Sequence, residues 1–295
     1  MQNTTEKSSR SAEGLYKFFI YFVLVLLAVT IIVPVAWVFM ASIKQNSEFY
    51  GNPWSLPLGF YWQNFVDAWQ KASMGSYMLN SVIVTALALA ILISVALPAA
   101  YCLSRFRFKS RNFLNISFMA GLFINVNYIV VPIFLMLRDG DTGLRSIFGE
   151  GFLLNNIFVL AVGYAATALP FTIYLLSGYF ATLAHDYEEA AYIDGCSVWG
   201  AFFRVTVPLL RPVIATLAVM NSIAIWNDFL TPLMFLQSKN SHTILLAVNS
   251  NVGRFSTNWT DMFPMMVLGV MPLVIFFLLM QKHIIKGLAV GSVKG

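Results

Sequence analysis

Between residues 184 and 206 an otherwise apolar chain turns acidic and helix-forming: "AHDYEEAAYIDGCSVWGAFFRVT". Carboxylates grouped in this way can cap a helix or can pair with a cation on another molecule. Asp186, followed three residues on by Glu189, predicts a capped helical start, with the acids favourable in the first turn. Gly195 then predicts a break, and Ser197 the cap of a second helix running toward Pro208. The result is a knuckle of helix, glycine turn and helix. On it Ala190 and Ala191 keep the backbone surface narrow, while Tyr192, Ile193 and Trp199 offer apolar contact. Glu188, Glu189 and Asp194 flank that face, which suits entry into a groove on another protein and pairing with a basic residue there. Capping accounts for half of the acids, so an ordinary solvated loop fits the same residues.

Other chemistries are poorly supplied. Cys102 and Cys196 are too few for a disulfide framework or a thiolate metal site. His185, His242 and His283 lie far apart in sequence, so no metal site is expected. No G-x-x-x-x-G-K-[ST] loop occurs, so the chain has no P-loop with which to hold ATP.

The elements that must position the knuckle are membrane spans. Hydrophobic residues make up 59% of the 295 and charged ones 11%, with a mean hydropathy of +0.74; a solvated globular surface needs more charge than that. Polar residues 1–17 precede an apolar run over Phe18–Ala41, too long for a cleaved signal and lacking a cleavage site. Further runs follow at Tyr77–Leu103, Phe113–Leu137, Asn155–Tyr179, Val207–Leu236 and Phe263–Ile285. Each can cross a hydrocarbon layer of about 30 Å, some with a tilt or a kink. Pro34, Pro98, Pro170, Pro212, Pro232 and Pro272 mark the expected kinks. The expected fold is an all-α integral membrane protein of six transmembrane helices, one membrane domain over 18–285, with both termini on one side.

Lys and Arg set the orientation. Twelve fall on the side of the termini, including Arg105, Arg107, Lys109, Arg111, Arg204 and Arg211, and six on the other. By the positive-inside rule the termini and the knuckle face the cytoplasm. This distribution also explains the net charge of +5 without nucleic acid, since no continuous basic face forms. Outside, residues 42–76 are rich in Trp, Tyr and Pro, and "WQNFVDAWQKA" predicts a short helix along the outer interface.

The knuckle carries a resemblance. Glu189-Ala190-Ala191, three residues, Gly195, nine residues, then Val205-x-Val207-Pro208 is similar to the EAA motif, EAA-x3-G-x9-I-x-L-P, of membrane subunits of binding-protein-dependent ABC importers. The departures are the valines at 205 and 207, both apolar exchanges. "WNDFLTPLMFL" (226–236) and the terminal "KGLAVGSVKG" (286–295) resemble the carbohydrate branch, in particular the smaller maltose-type permease. The resemblance spans essentially the whole chain. It implies the type I ABC importer permease fold, in the bacterial or archaeal cytoplasmic (inner) membrane, and transport of a sugar or oligosaccharide. It further implies that Glu188, Glu189, Ala190, Ala191, Asp194 and Gly195 form the ATPase-coupling element. In the resembled system the Gly-rich tail reaches the ATPase interface, which places Gly287, Gly291, Lys294 and Gly295 there. The implied partners are a second homologous permease in a heterodimer, two copies of a cytoplasmic ABC ATPase and an external sugar-binding protein; ATP and Mg belong to the ATPase. From composition alone the tail, with glycines at 287, 291 and 295, is expected not to hold a helix. A frayed terminus fits it equally.

Polar residues inside spans mark candidate pathway positions, because they are costly in hydrocarbon. Asn80, Asn125, Asn127, Tyr128, Asn221, Asn227 and Asp228 stand out. Asp228 is the sole acid within an expected span. It permits a different reading, an ion-gradient symporter using Asp228; an interfacial position or a bond to a neighbouring helix explains the same residue. A third reading is a membrane scaffold whose knuckle recruits a cytoplasmic partner without solute flux.

Overall fold

The computed structural model describes the backbone of residues 2–71, 73–149, 151–250 and 259–292, and the side chains of 16–70, 73–149, 151–250 and 259–281. Helix is the only regular structure among them. Four helices contain stretches long and apolar enough to span a bilayer: Tyr16–Ser42, Met74–Arg105, Ile157–Thr182 and Trp259–Gln281. Two bent pairs, Arg111–Gly121 with Val126–Phe148 and Val198–Leu209 with Arg211–Trp226, bring the total to as many as six. The chain divides into two compact units, Met1–Ala72 with Val252–Leu268, and Ser73–Asn251 with Gly269–Gly295.

The first unit contains α1 (Gln2–Ser42), α2 (Asn46–Gly51), α3 (Gln63–Lys71) and the start of the last helix. No residue in the most apolar window of α1 is buried, so its side chains require lipid or another chain. After α1 the backbone folds around a lysine. Lys44 is fully buried, and its ammonium donates to the carbonyls of Asn52 (3.3 Å), Pro53 (3.1 Å) and Ser55 (2.5 Å) and to Ser55 Oγ (3.3 Å). Asn64 Nδ2 donates to the carbonyls of Ser42 and Lys44, tying α3 to the same turn. Trp37 packs edge-on against Phe263 at 5.4 Å and donates its indole N–H to Pro53 O. Lys44→Met removes a charged donor worth roughly 1.5–3 kcal/mol and takes from Ser55 O its ammonium partner, while Asn52 O and Pro53 O keep the donors of Ser55 and Trp37. Added protease is expected to cut residues 50–62 faster in this variant, with membrane insertion unchanged; an unaltered cleavage rate contradicts this role for Lys44.

In the second unit α4 (Met74–Arg105) and α7 (Ile157–Thr182) pack along their lengths. The buried face of α4 runs Val84, Ala88, Leu92, Ala96, Ala100, a four-residue repeat that brings one stripe of a helix to its neighbour. Three of the five are alanines, which permits the close approach that packing in lipid relies on. α5 (Arg111–Gly121) lies on α7, and a Cβ at Gly121 would come within 2.8 Å of Pro170 Cγ, so glycine permits this contact. α11 (Arg211–Trp226) packs on both α4 and α7.

The third expected span departs from expectation. α5 and α6 (Val126–Phe148) meet at 103°, and residues 122–125 between them contain no proline. The amides of Leu122, Phe123 and Ile124 bond back three residues, closing α5 with a tight turn, and Asn125 Oδ1 accepts from Asn127 N to start α6. α6 then runs through Phe148, so residues 138–148, beyond the expected apolar run Phe113–Leu137, are helical. A buried Asp141 paired to Arg145 one turn on (3.1 Å) supports that extension. The fifth span is also broken. Leu210, between Pro208 and Pro212, sits at a 71° bend, and α11 stops at Trp226 before the short α12 (Leu230–Phe235).

Beyond α12, Asn80 Nδ2 donates to the carbonyls of Asn240 and His242, and Ser81 Oγ accepts from Ile244 N at the start of α13 (Ile244–Ser250). Burial, and after it the Lys239 ammonium, holds the His242 imidazole below its ordinary range. The last helix, α14 (Trp259–Ser292), corrects the expectation of a tail unable to hold a helix, because its backbone stays helical through Ser292. Extending an existing helix costs far less than nucleating one, and Leu288, Ala289 and Val290 fill the turn between Gly287 and Gly291.

Candidate functional site

The knuckle is built from α8 (Asp186–Ile193) and α9 (Val198–Ala201). His185, not Asp186, occupies the cap position of α8, and no side chain caps it. Asp186 is already helical there, so its effect is that of a charge in the first turn, with Glu188 and Glu189 beside it. At the other end the Gly195 amide bonds to Tyr192 O and the Cys196 amide to Ala191 O. This paired closure requires a left-handed residue, and Gly195 has φ +84°. Ser197 Oγ accepts from Gly200 N at 3.2 Å, the expected cap of α9. From α9 the chain widens into a π-helical turn, Phe202–Thr206, before the short α10 (Val207–Leu209). Such turns are rare inside helical runs and occur disproportionately at functional sites.

α8 presents two faces of opposite character. Glu188 and Ala191, three apart, turn inward and are buried, while Glu189, Ala190, Tyr192, Ile193 and Asp194 are exposed. The narrow outer surface expected from both alanines is therefore carried by Ala190 alone. Exposed Trp199 stacks on exposed Phe203 at 6.0 Å, extending the apolar patch of which Ile193 (87% exposed) is the tip.

Sequence reasoning missed what holds the inner face. Glu188 Oε1 accepts from Arg105 Nε at 3.0 Å, both side chains being about 95% buried. The same guanidinium contacts His185 Nε2 at 3.0 Å and donates to Leu183 O at 2.9 Å. An arginine N–H can only donate, so Nε2 is the acceptor. Thr206 Oγ1, in the π turn, approaches Glu188 Oε1 at 3.4 Å. Beneath lies an aromatic floor in which Tyr101 packs against Phe202 (4.7 Å), Phe180 (5.7 Å) and Phe106 (5.7 Å). One buried ion pair thus joins the end of α4, the coil after α7, α8 and the turn leading to α11.

The remaining candidates have local roles. Asn125 caps α6, and Asn127 is exposed beside it. Asn221 is buried and donates to Leu217 O, and Asn227 donates to Ile223 O, each one turn back. Asp228 Oδ1 accepts from Leu230 N at 3.0 Å and lies 3.5 Å from Thr231 N, capping α12 at the break in the fifth span. Gly287 and Gly291 lie on the helical backbone of α14, and Lys294 and Gly295 fall outside the described residues.

Residues 55–290 match the family model described as "Binding-protein-dependent transport system inner membrane component". A Bacillus subtilis protein named "Probable ABC transporter permease protein YurM" is 34% identical, over 92% of this chain and 87% of its own. The diacetylchitobiose uptake system permease protein NgcG of Streptomyces coelicolor is 33% identical, over 97% and 92%. The melibiose/raffinose/stachyose import permease protein MelC of Bacillus subtilis is 29% identical, over 89% and 91%. In three dimensions the chain is similar to one from the crystal structure of a bacterial ABC transporter involved in the import of the acidic polysaccharide alginate, with a TM-score of 0.80, 21% identity, and coverage of 92% of this chain and 97% of that one.

Proposed function

The chain belongs to the family of binding-protein-dependent transport system inner membrane components, and from that premise we propose that it is the permease subunit of an ATP-driven carbohydrate importer, docked to a separate ATPase through the knuckle at 184–206. It forms half of the translocation path, with a second homologous permease completing it. Both termini and the knuckle face the cytoplasm, where two ATPase copies hold ATP and Mg and supply the energy. An external binding protein delivers the sugar.

The observation that carries this reading is the division of α8 into a buried, anchored face and an exposed one. Glu189 and Ala190 stand on a helix whose base is fixed by the Arg105–Glu188 pair, with Asp194 and the Gly195 turn closing it. A rigid projection of this kind transmits a push, whereas a mobile loop absorbs it. The tail residues Gly287, Gly291, Lys294 and Gly295 complete the ATPase contact, by resemblance. Carbohydrate as cargo rests on the relatives, whose names specify diacetylchitobiose and melibiose, raffinose or stachyose.

Gradient-driven transport through Asp228 is disfavoured, since one of its carboxylate oxygens is engaged in capping α12. The test is uptake by the complex reconstituted in vesicles with its binding protein. ATP-dependent carbohydrate uptake that persists in Asp228→Asn and without an ion gradient is the expected result. Uptake that needs the gradient and is abolished by Asp228→Asn overturns the proposal. A complex that binds the ATPase but moves no solute favours the scaffold reading.

A further inference from the structure

We propose that Arg105, Glu188 and Thr206 form a coupling joint that moves α4 and α11 together with the knuckle, and that Arg105 and Glu188 act as positioning residues for transport and not for ATPase docking. The inference rests on the reading of the knuckle as the ATPase contact and concerns what happens behind that contact. Three features support it. The pair is enclosed, with side-chain exposures of 6% and 5%, so its contacts face the protein's own helices. A docking carboxylate needs the opposite, and Glu189, next in sequence, is exposed. The guanidinium also reaches in more than one direction, with Nε on Glu188, Nη1 on His185 and Nη2 on Leu183 O. It therefore binds the end of α4 to both the start of α8 and the coil that leaves α7.

The third feature is the π-helical turn. Thr206, its last residue, contacts the same Glu188 oxygen that Arg105 holds, and the chain then bends 71° into α11. A π turn and a bend flanked by two prolines form a flexible link, through which a push on α8 could dissipate before reaching α11. The Glu188–Thr206 contact bypasses the π turn and ties α8 directly to the residue that leads into the bend. Displacement of α8 is thus delivered to α4 through Arg105 and toward α11 through Thr206, and the core shared by α4, α7 and α11 moves as one body.

The test compares wild type, Glu188→Gln and Arg105→Lys in the complete reconstituted complex, with three readouts: ATPase copurified, basal ATP hydrolysis, and sugar uptake stimulated by the loaded binding protein. Glu188→Gln keeps the side chain's size and one acceptor while removing the charge. It is expected to keep ATPase binding, while uptake per ATP hydrolysed falls by about tenfold; for scale, tenfold corresponds to 1.4 kcal/mol. Arg105→Lys keeps charge but not the forked geometry, and is expected to fall between. Unchanged uptake per ATP in both variants overturns the joint. Loss of ATPase binding in parallel with uptake also overturns it, since Glu188 would then act in docking. Should Glu188→Gln be absent from the membrane, Glu188→Asp is read the same way, and unchanged coupling in it overturns the proposal. Failure of the underlying reading is distinct: the wild-type complex would then contain no ATPase.

Discussion

Glu189→Lys is expected to lower ATP-driven uptake by at least about tenfold while the protein still inserts into the membrane. Glu189 is exposed on the outer face of α8, so the substitution removes nothing from the packed interior. What it removes, in the proposed docking, is the carboxylate that meets a basic group on the ATPase. A hydrogen bond to a charged group is worth roughly 1.5–3 kcal/mol, and like-charge repulsion adds to the loss when lysine meets that basic group. Each 1.36 kcal/mol is tenfold in rate or affinity. The measurement is uptake normalised to membrane-inserted protein, together with the amount of ATPase that copurifies. Uptake at the wild-type level counts directly against the role of this residue.

Arg105→Ala is expected to be the most destabilising single change at the knuckle. It leaves the Glu188 carboxylate buried without its counter-charge, and breaking a buried pair in this way costs about 3–5 kcal/mol. It also frees Leu183 O and His185 Nε2 from their shared donor. The readout is protease sensitivity of residues 184–206 in membrane vesicles, with membrane abundance measured in parallel. The double variant Arg105→Met with Glu188→Leu is expected to recover most of the loss, because two apolar side chains of similar volume need no partner. Should Arg105→Met and Glu188→Leu, made singly, prove additive with the double, the residues are not coupled and the ion pair is not what holds α8.

Much of the site's outline was legible in the sequence, and its internal wiring was not. The position of Gly195 predicted a break, and its φ of +84° shows why glycine serves there. Ser197 predicted a cap and makes one. These are local signals, written in a few neighbouring residues. Arg105 carried no such signal. It lies 83 residues from Glu188, and just past the apolar run Tyr77–Leu103 it reads as a topology charge. Only the packing of α4 on α7 brings it to the knuckle. Asp186 misled in another way: the capping pattern was present, but the helix begins one residue early, with His185 at the cap position.

Among the spans, hydropathy located apolar segments and was blind to direction. The 103° turn after Gly121 has no proline to announce it, since it depends on three short backbone bonds and on Asn125. The extension of α6 was visible in principle. Asp141 and Arg145 are one helical turn apart, the spacing of a helical ion pair, although they lie beyond the apolar run that ends at Leu137. Helix propensity lost there to continuation of a helix already formed. The same physics carries α14 through the glycines of the tail.

The central claim is that the exposed face of α8 is seated on a separately encoded ATPase during transport. Ile193, 87% exposed at the end of that helix, offers the most direct test. In a transport-competent complex with Cys102 and Cys196 replaced by alanine, Ile193→Cys carrying a short photocrosslinker should yield an adduct with the ATPase subunit and protect that region from protease. If the complex imports sugar and residue 193 reaches no ATPase chain, this account of the knuckle is wrong.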